Sequence, residues 1–470
     1  MAFSNIDSLS NGAILQILFS KGLTSQMSRD YEDFSNILMS LKAPGANAVD
    51  RQYNYYLLKA LGPKAVKWQN PGATGGRAFP TGSQVTTQEV TAKQKEIQAT
   101  IELEWNLWDR VRKGEVSYAE PLEVEIQAKL DVVKREMAKA LYGDGTGILG
   151  TFSSVAFSGG KAIVTVKSGN TDKGFIGWFE PGDEVVCYDT TGATLHLMAN
   201  AADDAAGQTA YFVVDSIDRA NNKVTLVGYN SSGTELTLTQ VSGTTPTADG
   251  DIFYRRVQGT RVNTSSISDY GIATEVMAGL ESLTADDGRT VFGITMSGLT
   301  SGTRQDAGGD LIDRMDIERL MNNLKIRVGV GKYNWNQMVM AYETQSEFID
   351  SKDADRRFNL ITDATHGAQV YAYQHRGTTL KCVDSEFCPK NRIHVLPTPK
   401  SGEHGESGYA IEFRGTEFEN VSVGGQDTFL KAGSAGGYEG MIQQFLNAYA
   451  VMIPKHPAAC GVIDNFTLNS

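Results

Sequence analysis

Cysteine is scarce in this chain of 470 residues: Cys187, Cys382, Cys388 and Cys460 are all there is. That is too few, too widely spread, for a disulfide framework, and reduced, buried thiols are the expectation. Cys382 and Cys388 stand six apart with no second close pair to complete a zinc site, so no metal centre is expected. Histidine is as sparse. His196, His366, His375, His394, His404 and His456 fall in different predicted elements, and none adjoins a nucleophile that would mark a catalytic triad. Asp350, Asp353 and Asp355 lack the spacing and the glycine of a calcium loop. No apolar run reaches the ~18 residues of a membrane span, and the first residues, Met1 to Asp7, carry neither a basic nor a long apolar stretch. The expectation is a protein without membrane association, made in a cytosol. Basic residues are outnumbered, 43 Lys and Arg against 55 Asp and Glu, and the net charge of -12 excludes a nucleic-acid grip through an overall basic surface.

Against these absences stands one well-patterned stretch, Lys93 to Gly150. From Ile97 the residues alternate, Ile97, Ala99, Ile101, Leu103 and Trp105 against Gln98, Thr100, Glu102 and Glu104, the two-residue period of a half-buried strand. Beyond Gly114 apolar residues recur at Leu122, Ile126, Leu130, Val133, Met137 and Leu141, a single helical stripe. Two starts fit this helix: Pro121 in the first turn, or a capping box of Ser117 with Glu120. Gly143 is expected to close it in the left-handed conformation, for a length of about 22 residues and roughly 33 Å.

Before this stretch, residues 1 to about 70 read as short helices with apolar faces, among them Tyr53, Tyr56, Leu57 and Leu61. A glycine-rich passage leads to a Val/Thr strand from Gln84 to Thr91, which a turn at Lys93 to Glu96 folds back on Ile97 to Trp105 as a long hairpin. A hairpin without further partners is barely stable in water, so a second surface is expected to carry it. After Gly150 short β runs take over: Ala162 to Val166, Glu184 to Tyr188, Tyr211 to Ile217, Val224 to Val227, Glu235 to Val241 and Asp251 to Arg255, with Ala220-Asn221-Asn222 as a hairpin turn. They predict an inserted antiparallel barrel or sandwich whose removal the rest of the fold tolerates. A helix over Ile272 to Leu283, another over Leu311 to Leu324, a polar helix over Thr344 to Asp353 and several strands follow in non-repeating order, an α+β pattern. The run Met441 to Ile453 is a last long strand with a proline stop after it.

Two glycine motifs invite a cofactor reading. Gly145-Thr-Gly147-Ile-Leu-Gly150 matches a dinucleotide fingerprint as a string, but it closes a helix where a fingerprint must open one. Gly329-Val-Gly331-Lys332 has Tyr333 where a phosphate loop needs Ser or Thr. Neither supports a cofactor.

Phe79-Pro80-Thr81-Gly82 with the Val/Thr strand of a long hairpin, then a long helix ending in Ala-Leu-Tyr-Gly-Asp-Gly-Thr-Gly, then a mixed α+β region with Cys382 to Pro389 before Ile393-His394-Val395, together resemble the major capsid proteins of tailed bacteriophages, the Hong Kong 97-type fold. The resemblance implies an α+β subunit divided into an N-terminal arm (1–71), an extended loop (72–108), a peripheral domain with a spine helix (109–150), an inserted β-rich domain (151–262), an axial domain with peripheral segments (263–430) and a C-terminal peripheral strand (431–470). It implies no catalysis and no cofactor. The partners would be further copies in hexamers and pentamers, with portal, scaffolding and decoration proteins, around double-stranded DNA held without sequence recognition. The place would be the virion, after assembly in a host cytoplasm. The assembly contacts it points to are Phe79, Val85, Lys93, Lys95, Ile97, Ile101 and Trp105. A cellular encapsulin-like shell and a nucleotide-dependent cytosolic enzyme are the alternatives.

Overall fold

The computed structural model describes residues 41, 52–60, 86–104, 121–167, 174–188, 197–199, 211–230, 233–238, 240–242, 251–255, 276–285, 288–329, 333–353, 359–362, 369–375, 378–399, 410–415, 419–420, 429–432 and 438–468. The chain begins with β1 (Gln52–Ala60), β2 (Thr86–Lys93) and β3 (Lys95–Glu104). β1 runs antiparallel to β2, so Tyr53, Tyr56 and Leu57 lie in a strand and not in the expected helix. Tyrosine-rich sequence suits a pleated surface once a partner strand is present. The expected turn at Lys93 to Glu96 is also absent. Only Gln94 separates β2 from β3, and β3 pairs across its whole length with the strand Tyr438–Pro454, from Lys95 opposite Ala450 to Glu104 opposite Met441. The hairpin is therefore β1 with β2, and β3 belongs to another sheet.

Helix α1 (Pro121–Tyr142) is 22 residues long, as its stripe predicts; Ser117 and Glu120 lie outside the described residues. Val133, Met137 and Leu141 are buried, and so are Ala138, Ala140 and Tyr142, so the last turns are covered on all sides. Gly143 is not the left-handed residue. It donates its N–H to the Ala140 carbonyl at 3.2 Å in a tightened last turn, and positive φ falls at Gly145 (83°) and Gly147 (79°).

Next come β4 (Ile148–Ser158), β5 (Lys161–Val166), β6 (Glu184–Tyr188), β7 (Leu197–Ala199), β8 (Tyr211–Asp218), β9 (Lys223–Tyr229), β10 (Glu235–Leu236), β11 (Gln240–Ser242) and β12 (Ile252–Arg255). Apart from the β7–β11 pair they form one antiparallel sheet, and because β9 pairs with both β5 and β8, the path β9-β5-β4-β12-β6-β8 closes on itself as a six-stranded barrel. Closure leaves few open edges, which suits strands this short. Alternate residues of β5 (Ala162, Val164 and Val166) point inward, with Phe152, Phe179, Phe212, Val214, Leu226 and Phe253. Asn222 takes positive φ (53°) in the β8–β9 turn, as a turn asparagine does. The run expected as one strand from Glu235 to Val241 is split between β10 and β11, because Leu238 turns into the core at 1% exposure while its N–H reaches the Gly160 carbonyl at 2.7 Å.

The remainder comprises α2 (Leu280–Thr284), β13 (Thr290–Val291), β14 (Ile294–Thr295), β15 (Thr303–Asp306), α3 (Arg314–Val328), β16 (Tyr333–Ala341), α4 (Tyr342–Asp353), β17 (Asn359–Thr362), β18 (Gln369–His375), β19 (Thr378–Ser385), β20 (Ile393–Pro399), β21 (Ile411–Gly415), β22 (Glu419–Asn420), β23 (Phe429–Ala432), β24 (Tyr438–Pro454) and β25 (Gly461–Asp464). A mixed sheet has the order β15-β25-β20-β16-β19-β18-β17, and Ile317, Leu320, Met321 and Leu324 of α3 are buried in the core it shares. A Cβ on Gly461 would meet Leu320 at 3.0 Å, so glycine allows helix and strand to close up there. β24 carries β3 on one edge and β23, β22 and β21 on the other. Two expectations change here. The helix over Ile272 to Leu283 reduces to α2 among the described residues, and the proline stop after β24 is followed by β25, which returns to the mixed sheet. Barrel and mixed sheet share one continuous buried core.

Candidate functional site: the ribbon base and the clamp on the long helix

The β1–β2 ribbon has just two strands, and among the described residues neither outer edge is paired. Its base is nevertheless fixed to its own chain. Val90 and Ala92 are fully buried, Val90 in a cluster with Ile294, Tyr55 and Phe292, and Ala92 in one with Val451, Ile453 and Tyr53. The Arg414 guanidinium lies 4.5 Å over the Tyr53 ring, a cation–π contact that ties β1 to β21. Glu412, wholly buried, accepts from Arg414 Nε at 2.5 Å and pairs with Lys455 as well, so the charge under the ribbon is neutralised from two sides. Where β2 passes into β3 the chain borders an open cleft of about 200 Å³, lined by Lys93, Lys95, Asp144, Val276, Phe292 and Val451 among others.

Of the residues expected at assembly contacts, Phe79, Val85 and Trp105 lie outside the described residues. Ile101 is placed by its backbone, opposite Gln444. Lys93 is exposed; Lys95 is half-buried, and burial together with the Lys93 charge lowers its amine below the usual lysine value. Ile97, partly buried, packs with Ala99 against the chain's own core. The structure thus brings Lys93 and Lys95 to one cleft and sends Ile97 inward.

The largest feature missed by sequence reasoning is a six-charge cluster joining α1 to the barrel. Arg135 reaches Glu180, Glu136 at 3.4 Å and Asp183 at 4.0 Å; Arg255 of β12 reaches Glu136, and Asp183 at 2.8 Å; Lys139 lies 3.4 Å from Glu136 and 3.9 Å from Glu180. Three cations meet three carboxylates, and the cluster is neutral. Burial alone would raise the Glu136 carboxyl, but Lys139, Arg255 and Arg135 outweigh it and hold it at about 2. Burial would likewise lower the Arg255 guanidinium, and Glu136 with Asp183 carries it above its usual value. The Lys139 amine goes the other way: burial lowers it and its partners only partly compensate. A usable signal exists in the run Met137 to Gly143, where Lys139 is the single charge among residues that bury all round, and a charge so placed needs partners.

Glu136→Gln is expected to lower the unfolding free energy near neutral pH by about 3 kcal/mol, because it leaves three cations facing two carboxylates. The wild-type carboxylate is ionised in both states above its unfolded value near 4.5, where its stabilisation is complete. As pH falls toward about 2 the unfolded chain takes the proton first, so this contribution is lost at about 1.4 kcal/mol per pH unit. Urea unfolding from neutral to acid pH checks both statements. A loss under ~0.5 kcal/mol at neutral pH would mean that water, not the cluster, serves these charges.

Among the described residues no group of three or more His, Cys, Asp or Glu is placed to hold a metal. All four cysteines are free and buried, and burial pushes the Cys382 thiol to about 12. No family model matches the chain, and no curated protein does either. Solved structures similar to it include the capsid asymmetric unit of cyanophage A-1(L) (10% identity, 94% of this chain and 95% of that one, TM-score 0.48) and the capsid of an empty GTA particle (10%, 99% and 100%, TM-score 0.41). An encapsulin complex from Synechococcus elongatus is similar at 8% identity over 82% of this chain and 79% of that one, with a TM-score of 0.33.

Proposed function

We propose that this chain is the structural subunit of a closed protein shell, the major capsid protein of a tailed bacteriophage, and that it works by assembling with copies of itself around double-stranded DNA. The observation that carries the reading is the β1–β2 ribbon, clamped at its base by Val90, Ala92 and Arg414, with both outer edges unpaired among the described residues. Two strands alone are marginal in water, so a ribbon fixed at one end is suited to lie on a second subunit. The rigid parts support that use: α1 is buried at its C-terminal end and clamped to the barrel, and β24 holds β3 directly behind the ribbon. A net charge of -12 suits a container wall that does not adhere to the nucleic acid inside it. The function is geometric, and no residue is assigned a catalytic role.

Electron microscopy of the purified full chain is expected to show closed shells built of hexamers and pentamers. A chain that stays a monomer or dimer under all assembly conditions, while binding a nucleotide, would overturn the reading. Shells that enclose cargo proteins and no DNA would move it to the cellular encapsulin-like alternative.

A further inference from the structure

His394 is enclosed in the core at 1% exposure, and among the described residues neither ring nitrogen has a hydrogen-bond partner. It sits on β20 opposite Val462 of β25 and Val339 of β16, and its ring lies 5.9 Å from that of Tyr142, the last residue of α1. The joint of the long helix with the mixed sheet therefore closes over it. The charges that face it are cations, Arg392 on the adjoining segment and Arg304 on β15. Their carboxylate partners are already engaged: Glu281 of α2 is 2.8 Å from Arg392 Nη1, and Asp464 of β25 holds Arg304. Arg289, Arg304 and Asp144 also act on Glu281, and Arg392 and Asp306 on Asp464.

We infer that His394 is an acid-release latch: the joint between the end of α1, α2 and the mixed sheet stays closed only while this imidazole is neutral, and taking up a proton opens it. An imidazolium needs acceptors for two N–H groups. Here it would find none within the closed joint, and two guanidinium groups besides. Burial, then Arg392 and Arg304, depress the ring to about 3, so a proton from solvent binds the open form first. The sign follows. The closed form is fully favoured above the usual imidazole value near 6.5, and the open population rises about tenfold for each pH unit below it. Glu281 and Asp464 act oppositely: burial raises both carboxyls, so protons they take up favour the closed form. Differences between variants isolate the ring from these two.

The test is native-state hydrogen exchange of the full chain at the amides of Ile393, Val395 and Val462, from about pH 7 to about pH 5, corrected for intrinsic rates. The opening populations should climb with acid in the wild type, and His394→Leu and His394→Met should each remove about tenfold per pH unit of that climb. Equal slopes in wild type and variants would overturn the inference. Carbon-detected titration of the histidine rings in the folded wild type gives an independent reading should the variants fail to fold. The His394 signal should stay neutral across this range, and a titration near the ordinary imidazole value would overturn the latch. Neither measurement requires an assembled shell, so the latch stands or falls apart from the proposed function.

Discussion

A chain without residues 151–262, its ends rejoined by a short Gly-Ser linker, is expected not to fold. Sequence patterning makes this segment a removable insertion, because short strands replace helices at Gly150 and helices resume later. The contacts argue otherwise. Trp178, 5% exposed, donates its indole N–H to the Phe387 carbonyl at 2.8 Å, beside the loop where Glu386 meets Arg219 at 3.1 Å and Lys390 donates to the Arg219 carbonyl at 3.3 Å. Next to Trp178 the barrel supplies Glu180, Asp183 and Arg255 to α1. Removing it takes Glu180 and Asp183 away from Arg135 and Lys139 and bares the apolar surface that the barrel shares with the rest of the core. Each large apolar side chain uncovered adds about 1.5–3 kcal/mol, and a typical domain has only about 5–15 kcal/mol in all. Soluble yield and thermal unfolding by circular dichroism check the outcome. A soluble deletion variant with a cooperative transition would show that the barrel only rests on the body.

What could be read in the sequence divides along physical lines. Local apolar patterning set α1, β5 and β6 close to their observed bounds, since period depends on local geometry. Strand partnership was not legible. Gln84 to Thr91 and Ile97 to Trp105 read as two strands of one hairpin, yet a strand shows which face is buried and not which strand lies beside it, and β3 takes its partner about 350 residues away: Asn447 donates to Glu96 at a separation of 351. Tyr53 to Leu57 fit a helical stripe as well as a strand, and pairing with β2 decided the matter. Of the candidate site, Lys93 and Lys95 were legible as a charged pair, but their cleft depends on Val276 and Phe292, brought there by tertiary packing alone. The clamp was hidden because its six charges come from three separate segments and look, one by one, like solvated surface.

The glycines at the end of α1 provide the sharpest remaining test, because sequence and structure assign the strained position differently. Gly143 was the expected left-handed residue, yet a Cβ there would meet nothing nearer than the Ala140 carbonyl oxygen at 3.6 Å, and its φ is not positive. Gly143→Ala is therefore expected to be neutral or to stabilise by up to about 1 kcal/mol, through a less flexible unfolded chain. Gly145→Ala should destabilise by about 1–3 kcal/mol, since Gly145 has φ of 83° and a Cβ there would come within 3.1 Å of Ala278 Cα. Gly279→Ala should be the most damaging. Gly279 donates its N–H to the Gly143 carbonyl at 3.1 Å, and an added Cβ would fall 2.2 Å from the Ala140 oxygen and 2.4 Å from the Leu141 oxygen. Backbone atoms at both ends of that contact cannot swing away as a side chain would. The segment before α2 must lift off the helix end, with an expected loss of about 3 kcal/mol or more. Urea unfolding of the three variants gives the order directly. If Gly143→Ala proved the costly one and Gly279→Ala the silent one, the left-handed closure would lie where the sequence pattern first put it, and the close approach of residues 276–279 to α1 would be wrong.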